Sequence, residues 1–168
     1  MTTKEQIDIA KDNLSRILGF FPRVDTVSSI VLAIDISALA LLASNAPPLK
    51  DMDGWALFAL AAVMLVGVSL YHLYKGAFPR LQGGPLSLIY FREIATRKED
   101  EFTKAFKEQN EEFYLNDLLS QVWRNSEILS QKFTHLNFAF TFLALSIIPW
   151  LIALFVFTSR NTESLLAK

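Results

Sequence analysis

Three apolar stretches, residues 27–44, 55–74 and 136–157, run for 18, 20 and 22 residues, and they limit this chain to very few folds. As α-helices they would measure roughly 27, 30 and 33 Å, against a bilayer hydrocarbon core of about 30 Å. Lipid offers no hydrogen-bond partners to backbone N–H and C=O groups, so stretches of this kind cross it as helices. The alternative, buried core helices of a soluble bundle, needs a protein coat that 168 residues cannot supply. An apolar fraction of 52% and a mean hydropathy of +0.30 agree with a lipid-facing surface. The expected fold class is all-α: an integral membrane protein of three transmembrane helices with an amphipathic N-terminal helix and a helical cytoplasmic segment.

Residues 1–22 are charged and amphipathic, unlike the short apolar core of a cleaved signal peptide, and are expected to persist in the mature chain. Cysteine is absent, which excludes disulfides, thiolate chemistry and thiolate-bound metals. A net charge of −1 provides no global basic field for nucleic acid. The placement of charge is more telling. Thirteen of the sixteen Lys and Arg residues precede the first span or lie between Lys75 and Lys132, leaving Lys50, Arg160 and Lys168. The positive-inside rule then puts the N-terminus and residues 76–135 in the cytoplasm and residues 158–168 outside.

In the first 22 residues, Ile7, Ala10, Leu14, Ile17, Leu18 and Phe21 recur at helical spacing and form one apolar stripe. Asp8 and Asp12 beside Lys4 and Lys11 favour other helices over lipid as its partner. Asn45-Ala-Pro-Pro stops the first span and begins a tight turn into the second. Phe78-Pro79-Arg80 and Gly83-Gly84-Pro85 interrupt the helix that follows. Leu88, Tyr90, Phe91, Ile94 and Ala95 begin a helix, another starts near Lys98, and helical spacing from Leu115 through Phe133 leads unbroken into the third span.

Asp35 lies nine residues into the first span, where a carboxylate is costly; it either lines a pore or bonds a neighbouring helix through a partner such as Ser37 or Ser69. His72 and His135 have no carboxylate cluster at metal-ligand spacing, so no metal site is expected. Nucleophile-elbow, phosphate-loop and zinc-protease motifs are absent, and the chain is not expected to be an enzyme. Glu111 and Glu112 read as part of a solvated face. Arg23, Arg80, Tyr90, Phe91, Arg92, Trp123 and Arg124 combine cations with rings near the cytoplasmic boundary. Either they take a small anionic ring compound, or the arginines reach lipid headgroups and pair with Glu93, Asp100 and Glu127.

Several of these landmarks resemble, in order, those of Pycsar-type transmembrane effectors. Val24-Asp25-Thr26-Val27-Ser28-Ser29-Ile30 is similar to the Ala-Asp-Thr-Lys-Ala-Ser motif, with Val27 in place of the lysine. Leu73-Tyr74-Lys75-Gly76-Ala77-Phe78-Pro79-Arg80 resembles the aromatic-Arg-Ala-Leu-Phe-Pro-Arg exit. Ile89-Tyr90-Phe91-Arg92-Glu93-Ile94-Ala95 resembles Tyr-Phe-Gly-Asp-Ile-Ala, with Arg92-Glu93 replacing Gly-Asp. Residues 117–123 and 126–132 resemble the approach to the last span. The resemblance spans about residues 15 to 157. It implies an antiphage effector of the bacterial inner membrane that senses a cyclic pyrimidine mononucleotide, cyclic UMP or cyclic CMP, made by a partner cyclase, and then impairs the bilayer in abortive infection.

The expected organisation is a cytoplasmic amphipathic helix at 1–22, spans at 27–44, 55–74 and 136–157, a cytoplasmic helical region at 76–135 and an extracytoplasmic tail at 158–168. The candidate ligand contacts are Asp25, Thr26, Ser29, Arg80, Tyr90, Arg92 and Arg124, with Asp35 as a pore or helix-contact residue. The expected partners are the lipid bilayer, the nucleotide and further copies of the chain, because three spans cannot enclose a pore alone. No cofactor or nucleic acid is expected. Two other readings fit the same features: a constitutive oligomeric channel or transporter subunit with Asp35 on the ion path, and a membrane scaffold that recruits a protein through its cytoplasmic helices.

Overall fold

The computed structural model describes residues 1–48, 53–78, 84 and 86–166, with side chains as far as residue 162. All regular structure among them is helical: α1 (Thr3–Asn45), α2 (Ala56–Ala77), α3 (Phe91–Ala95), α4 (Glu99–Glu108) and α5 (Glu111–Leu166). α1 joins the amphipathic stretch and the first span into one helix that runs through Pro22. Proline there removes the N–H that would reach the Leu18 carbonyl, a loss of one bond that the rest of the long helix absorbs. α5 likewise carries the helical spacing of residues 115–133 into the third span and through Pro149.

The chain divides into two compact units. One contains Asp25–Phe78 and Phe133–Lys168, and so all three apolar stretches. Its distribution of side chains is the reverse of a soluble core. Asp35, Ser69 and Ser146 are buried, while Ile34, Leu57, Met64, Phe140, Ile148 and Phe155 point outward. Water would penalise that arrangement and hydrocarbon solvates it. α1, α2 and α5 are each long and apolar enough to cross a membrane. The chain is therefore an all-α membrane protein.

Within this unit α1 and α5 run in the same direction, with α2 antiparallel to both. Leu42, Ala62, Ala153 and Phe157 form a core, against which Phe58, Ala59, Trp150 and Val156 pack. The alanines let the backbones approach closely, as small residues do where lipid supplies no hydrophobic drive to associate. The Trp150 Nε1–H donates to the Ala38 carbonyl at 2.9 Å, and the Ser69 hydroxyl donates to Asp35 Oδ2 at 2.7 Å. Hydroxyls of Ser37 and Thr141 turn back onto their own helices, to the carbonyls of Ala33 and Asn137. At one end the terminal carbonyl of α1, on Asn45, accepts from Asn161 Nδ2 at 3.1 Å.

At that same end Asp53 precedes α2. Its Oδ1 accepts the Trp55 N–H at 3.1 Å, and its Oδ2 meets the Arg160 guanidinium.

The other unit comprises Met1–Val24 and Pro79–Lys132. Ile7 and Ala10 of the amphipathic stripe are buried against Leu118 of α5, with Leu14, Ile89, Tyr114 and Leu115 around them. This stripe thus packs on protein. Asn110 starts α5 by accepting the Phe113 N–H on its Oδ1 at 2.7 Å, a helix cap. Glu111 and Glu112, expected on a solvated face, fill the first turn of α5, where the helix dipole favours negative charge.

The Arg160 hydrogen bond is the main reason Asp53 is held below the ordinary carboxylate range; desolvation opposes the shift and the Trp55 N–H adds to it. A carboxyl with a depressed folded-state pKa contributes stability above its unfolded value, about 3.9, and loses it as pH falls through the folded value. Asp53→Asn should therefore lower the thermal midpoint of the detergent-solubilised protein at pH 7. The difference from wild type should close as pH falls through the lowered carboxyl range, and shrink in high salt. An equal deficit at every pH would refute the ion-pair explanation.

Candidate functional site

Residues 87–90, just before α3, are attached to α5. Asp117 Oδ2 accepts the Leu88 N–H at 2.8 Å. The Ser87 hydroxyl oxygen accepts the Tyr90 N–H at 2.9 Å and the Ile89 N–H at 3.2 Å, and lies 3.3 Å from Gln121 Nε2, which donates to it. Ser87, Asp117 and Gln121 are all buried. Leu86, just before them, has φ of +67°, a left-handed conformation that costs a non-glycine residue about 1–2 kcal/mol. It is held there from both sides. Its N–H donates to Glu93 Oε1 at 3.1 Å and its carbonyl accepts from Arg97 Nη2 at 2.9 Å. Local strain maintained by surrounding bonds is characteristic of functional segments.

This attachment turns Tyr90 and Phe91 toward α5 and closes a pocket of about 310 Å³. Its apolar wall is Leu14 and Leu18 of α1 with Ile89 and Ile128, and its polar side is Gln121, Arg124 and Asn125. The size falls at the lower end of small-molecule sites, about 300–1,000 Å³. The Tyr90 and Phe91 rings meet edge to face at 5.2 Å. Arg124 Nη1 donates to Glu127 Oε2 at 2.7 Å, and Asn125 Nδ2 donates to the Gln121 carbonyl at 2.8 Å. Ring faces, two amides and a guanidinium around a half-closed apolar wall suit a small planar molecule bearing an anion. A wider depression of about 680 Å³ lies over α4, lined by Glu99, Asp100, Thr103, Lys104, Lys107 and Glu108. It is one charged helix face with no ring or apolar wall, and so a poorer receptor.

Of the expected contacts, Tyr90 and Arg124 come together in this pocket. Arg92 follows in α3, with its guanidinium 6.0 Å from the Phe91 ring centre. Asp25, Thr26 and Ser29 lie on α1 in the membrane unit and are not among the pocket's lining residues. The Ser29 hydroxyl donates to the Asp25 carbonyl at 2.9 Å. Arg80 lies outside the described residues. Asp35 is fully buried against Ser69, and its Oδ1 has no hydrogen-bond partner among the described residues. Among those residues, too, no three His, Asp or Glu side chains come together as a metal site.

Sequence reasoning did not single out Ser87, Gln121 or Asn125. A signal for two of them was present: Asp117, Gln121 and Asn125 recur every four residues, a polar stripe beside the buried Leu118 and Ile128 of the same helix.

A family model described as the Pycsar effector protein domain matches residues 9–159. No curated protein and no solved structure matches the chain.

Asp117→Ala strands the Leu88 N–H and Ser87→Ala strands those of Ile89 and Tyr90; each should cost about 1–3 kcal/mol, the desolvation penalty of an unpaired buried donor. Hydrogen exchange should show faster exchange at residues 87–90, with α2 unaffected. Uniform loosening of the whole chain would show that Asp117 and Ser87 do not act as a local attachment.

Proposed function

The chain belongs to the Pycsar effector family, which makes it a membrane effector of antiphage defence, and on that premise we propose that it binds a cyclic pyrimidine mononucleotide and then impairs the inner membrane. The observation that carries this reading is the pocket in which Tyr90, Phe91 and Arg124 meet. A pyrimidine ring would lie on the aromatic faces, with Gln121 and Asn125 at its polar edge. The cyclic phosphate would take the Arg124 guanidinium in competition with Glu127.

The basic residues between Lys75 and Lys132 support a cytoplasmic pocket, on the side where a partner cyclase would release cyclic UMP or cyclic CMP. No catalytic step is required. The pocket draws Leu14 and Leu18 from α1 and four residues, 121, 124, 125 and 128, from α5, and both helices continue into spans. A ligand shifts such a system only through unequal affinity for its states, so the nucleotide must bind the membrane-impairing arrangement more tightly. Three spans are too few to enclose a pore, and that arrangement would be a homo-oligomer. Arg92 would contribute positive potential, and Arg80, Asp25, Thr26 and Ser29 are further candidates for contact in the activated state.

A second reading draws on Asp35. A fully buried carboxylate whose Oδ1 has no partner among the described residues is costly in a span, which supports a constitutive channel with Asp35 on the ion path. Asp35→Asn separates the two: it should abolish nucleotide-independent ion flux in a channel and leave nucleotide affinity unchanged in a sensor.

Calorimetry with cyclic UMP and cyclic CMP, with cyclic AMP as control, tests the sensor directly. One pyrimidine nucleotide should bind and release dye from liposomes containing the protein. Tyr90→Ala should weaken binding by about 1–3 kcal/mol, the worth of a base–aromatic stack. Arg124→Ala should weaken binding, flatten its salt dependence and reduce nucleotide-driven leakage. Absence of both heat and leakage with either pyrimidine nucleotide would overturn the reading.

A further inference from the structure

His72 and His135 are the only histidines in the chain, and they meet. His72 lies near the end of α2 and His135 near the start of the apolar part of α5. Their Nδ1 atoms are 3.1 Å apart and their ring centres 5.4 Å apart. The difference between these distances is close to two ring radii, so both Nδ1 atoms lie near the line joining the centres and their in-plane directions oppose one another. That is the geometry of an N–H···N hydrogen bond. It does not suit a metal ion: two collinear bonds of about 2.0–2.1 Å would hold the nitrogens about 4 Å apart.

We infer that His72 and His135 form a proton-binding clasp between α2 and α5, closed when the pair holds no more than one extra proton and opened by a second. In the neutral pair one Nδ1–H donates to the other Nδ1. A first proton goes to the outer nitrogen of the donor ring, leaving the bond in place and charge-assisted. A second proton must take the acceptor Nδ1, which destroys the only acceptor and points two cationic N–H groups at one another.

The surroundings make the clasp sensitive to that event. Phe138 and Phe142 stack on the His72 ring at 5.0 and 5.9 Å, and Tyr71 meets its edge at 5.5 Å, so water has restricted access to solvate two charges. The charged groups at this end of the membrane unit are Lys75 on α2, whose ammonium lies 5.7 Å from the Tyr71 ring centre, and Asp25 on α1. Lys132, one turn before His135 on α5, has its ammonium 5.9 Å from the Phe21 ring centre. Lys75, in the same unit as the pair, repels a second proton that the stacked rings leave poorly solvated. If the membrane-impairing function proposed above holds, a leak that acidifies this side would release the clasp and reinforce itself.

Nitrogen-15 NMR of the full chain in nanodiscs without nucleotide, titrated across the histidine range around pH 6.5, tests the clasp. The bridging Nδ1–H signal should be present in the neutral pair, persist when the first proton binds and disappear with the second. In His72→Phe or His135→Phe the remaining histidine should titrate in one step. Should either fail to fold, His72→Gln and His135→Gln keep a polar side chain at the same place and serve instead. Independent single-step titration of both histidines in the wild type overturns the clasp. Vesicle leakage driven by cyclic UMP or cyclic CMP should be greater at pH 6 than at pH 7.5, and the difference should be lost in the variants. Leakage equal at the two pH values overturns the link to function. Absence of leakage at both, with the bridging signal intact, counts against the nucleotide reading and leaves the clasp established.

Discussion

Hydrocarbon accepts no hydrogen bonds, and the membrane unit is arranged around that fact. Every polar group carried into the spans must find a partner in the chain. Ser37 and Thr141 bond their own helices, Trp150 gives its indole N–H to the Ala38 carbonyl, and Ser69 serves Asp35 across the interface between α1 and α2. The last two bonds join different helices and define which faces meet. Leu42, Ala62, Ala153 and Phe157 then fill the space between them with no polar demand. Asp35 Oδ1, unpartnered among the described residues, is the one place where the rule is only half met.

The same physics takes another form in the unit that holds the pocket. Residues 86–90 have no regular backbone hydrogen-bond pattern of their own, so the buried or half-buried donors on residues 88–90 need side-chain acceptors. Asp117 and Ser87 provide them. In doing so they orient Tyr90 and Phe91, and the receptor for a planar anion follows from what is first a problem of backbone satisfaction. The strained Leu86 lies at the entrance to this segment, held by Glu93 and Arg97. Structure and candidate function therefore share the same few bonds.

Much of this architecture is legible in the one-dimensional pattern. Stretches long enough to span lipid have one structural solution, so the three helices and the all-α class follow from length and composition alone. The Ile7, Ala10, Leu14 periodicity identifies the buried face of α1, and its acidic residues point to a protein partner, which proves to be α5. The family motifs cover nearly the stretch that the family model matches, residues 9–159. The pocket is less legible. Tyr90 and Arg124 stand out as a ring and a cation near a boundary, but Ser87 has no periodic signature, and the four-residue recurrence of Asp117, Gln121 and Asn125 marks a polar stripe without saying what it faces. Asp25, Thr26 and Ser29 illustrate the converse: a motif shared with a family marks residues without saying which cavity they line.

The sequence by itself determined that this chain enters a membrane, how many times it can cross, and between which apolar stretches its basic residues gather, because those properties depend on length, hydropathy and charge summed along the chain. Only the tertiary structure decided that Asp35 faces Ser69, that His72 meets His135 at 3.1 Å, and that Asp117 and Gln121 secure the segment bearing Tyr90. Such pairings join residues 29 to 63 positions apart. They depend on helix rotation and register, which hydrophobic periodicity leaves undetermined once a helix is apolar on every face.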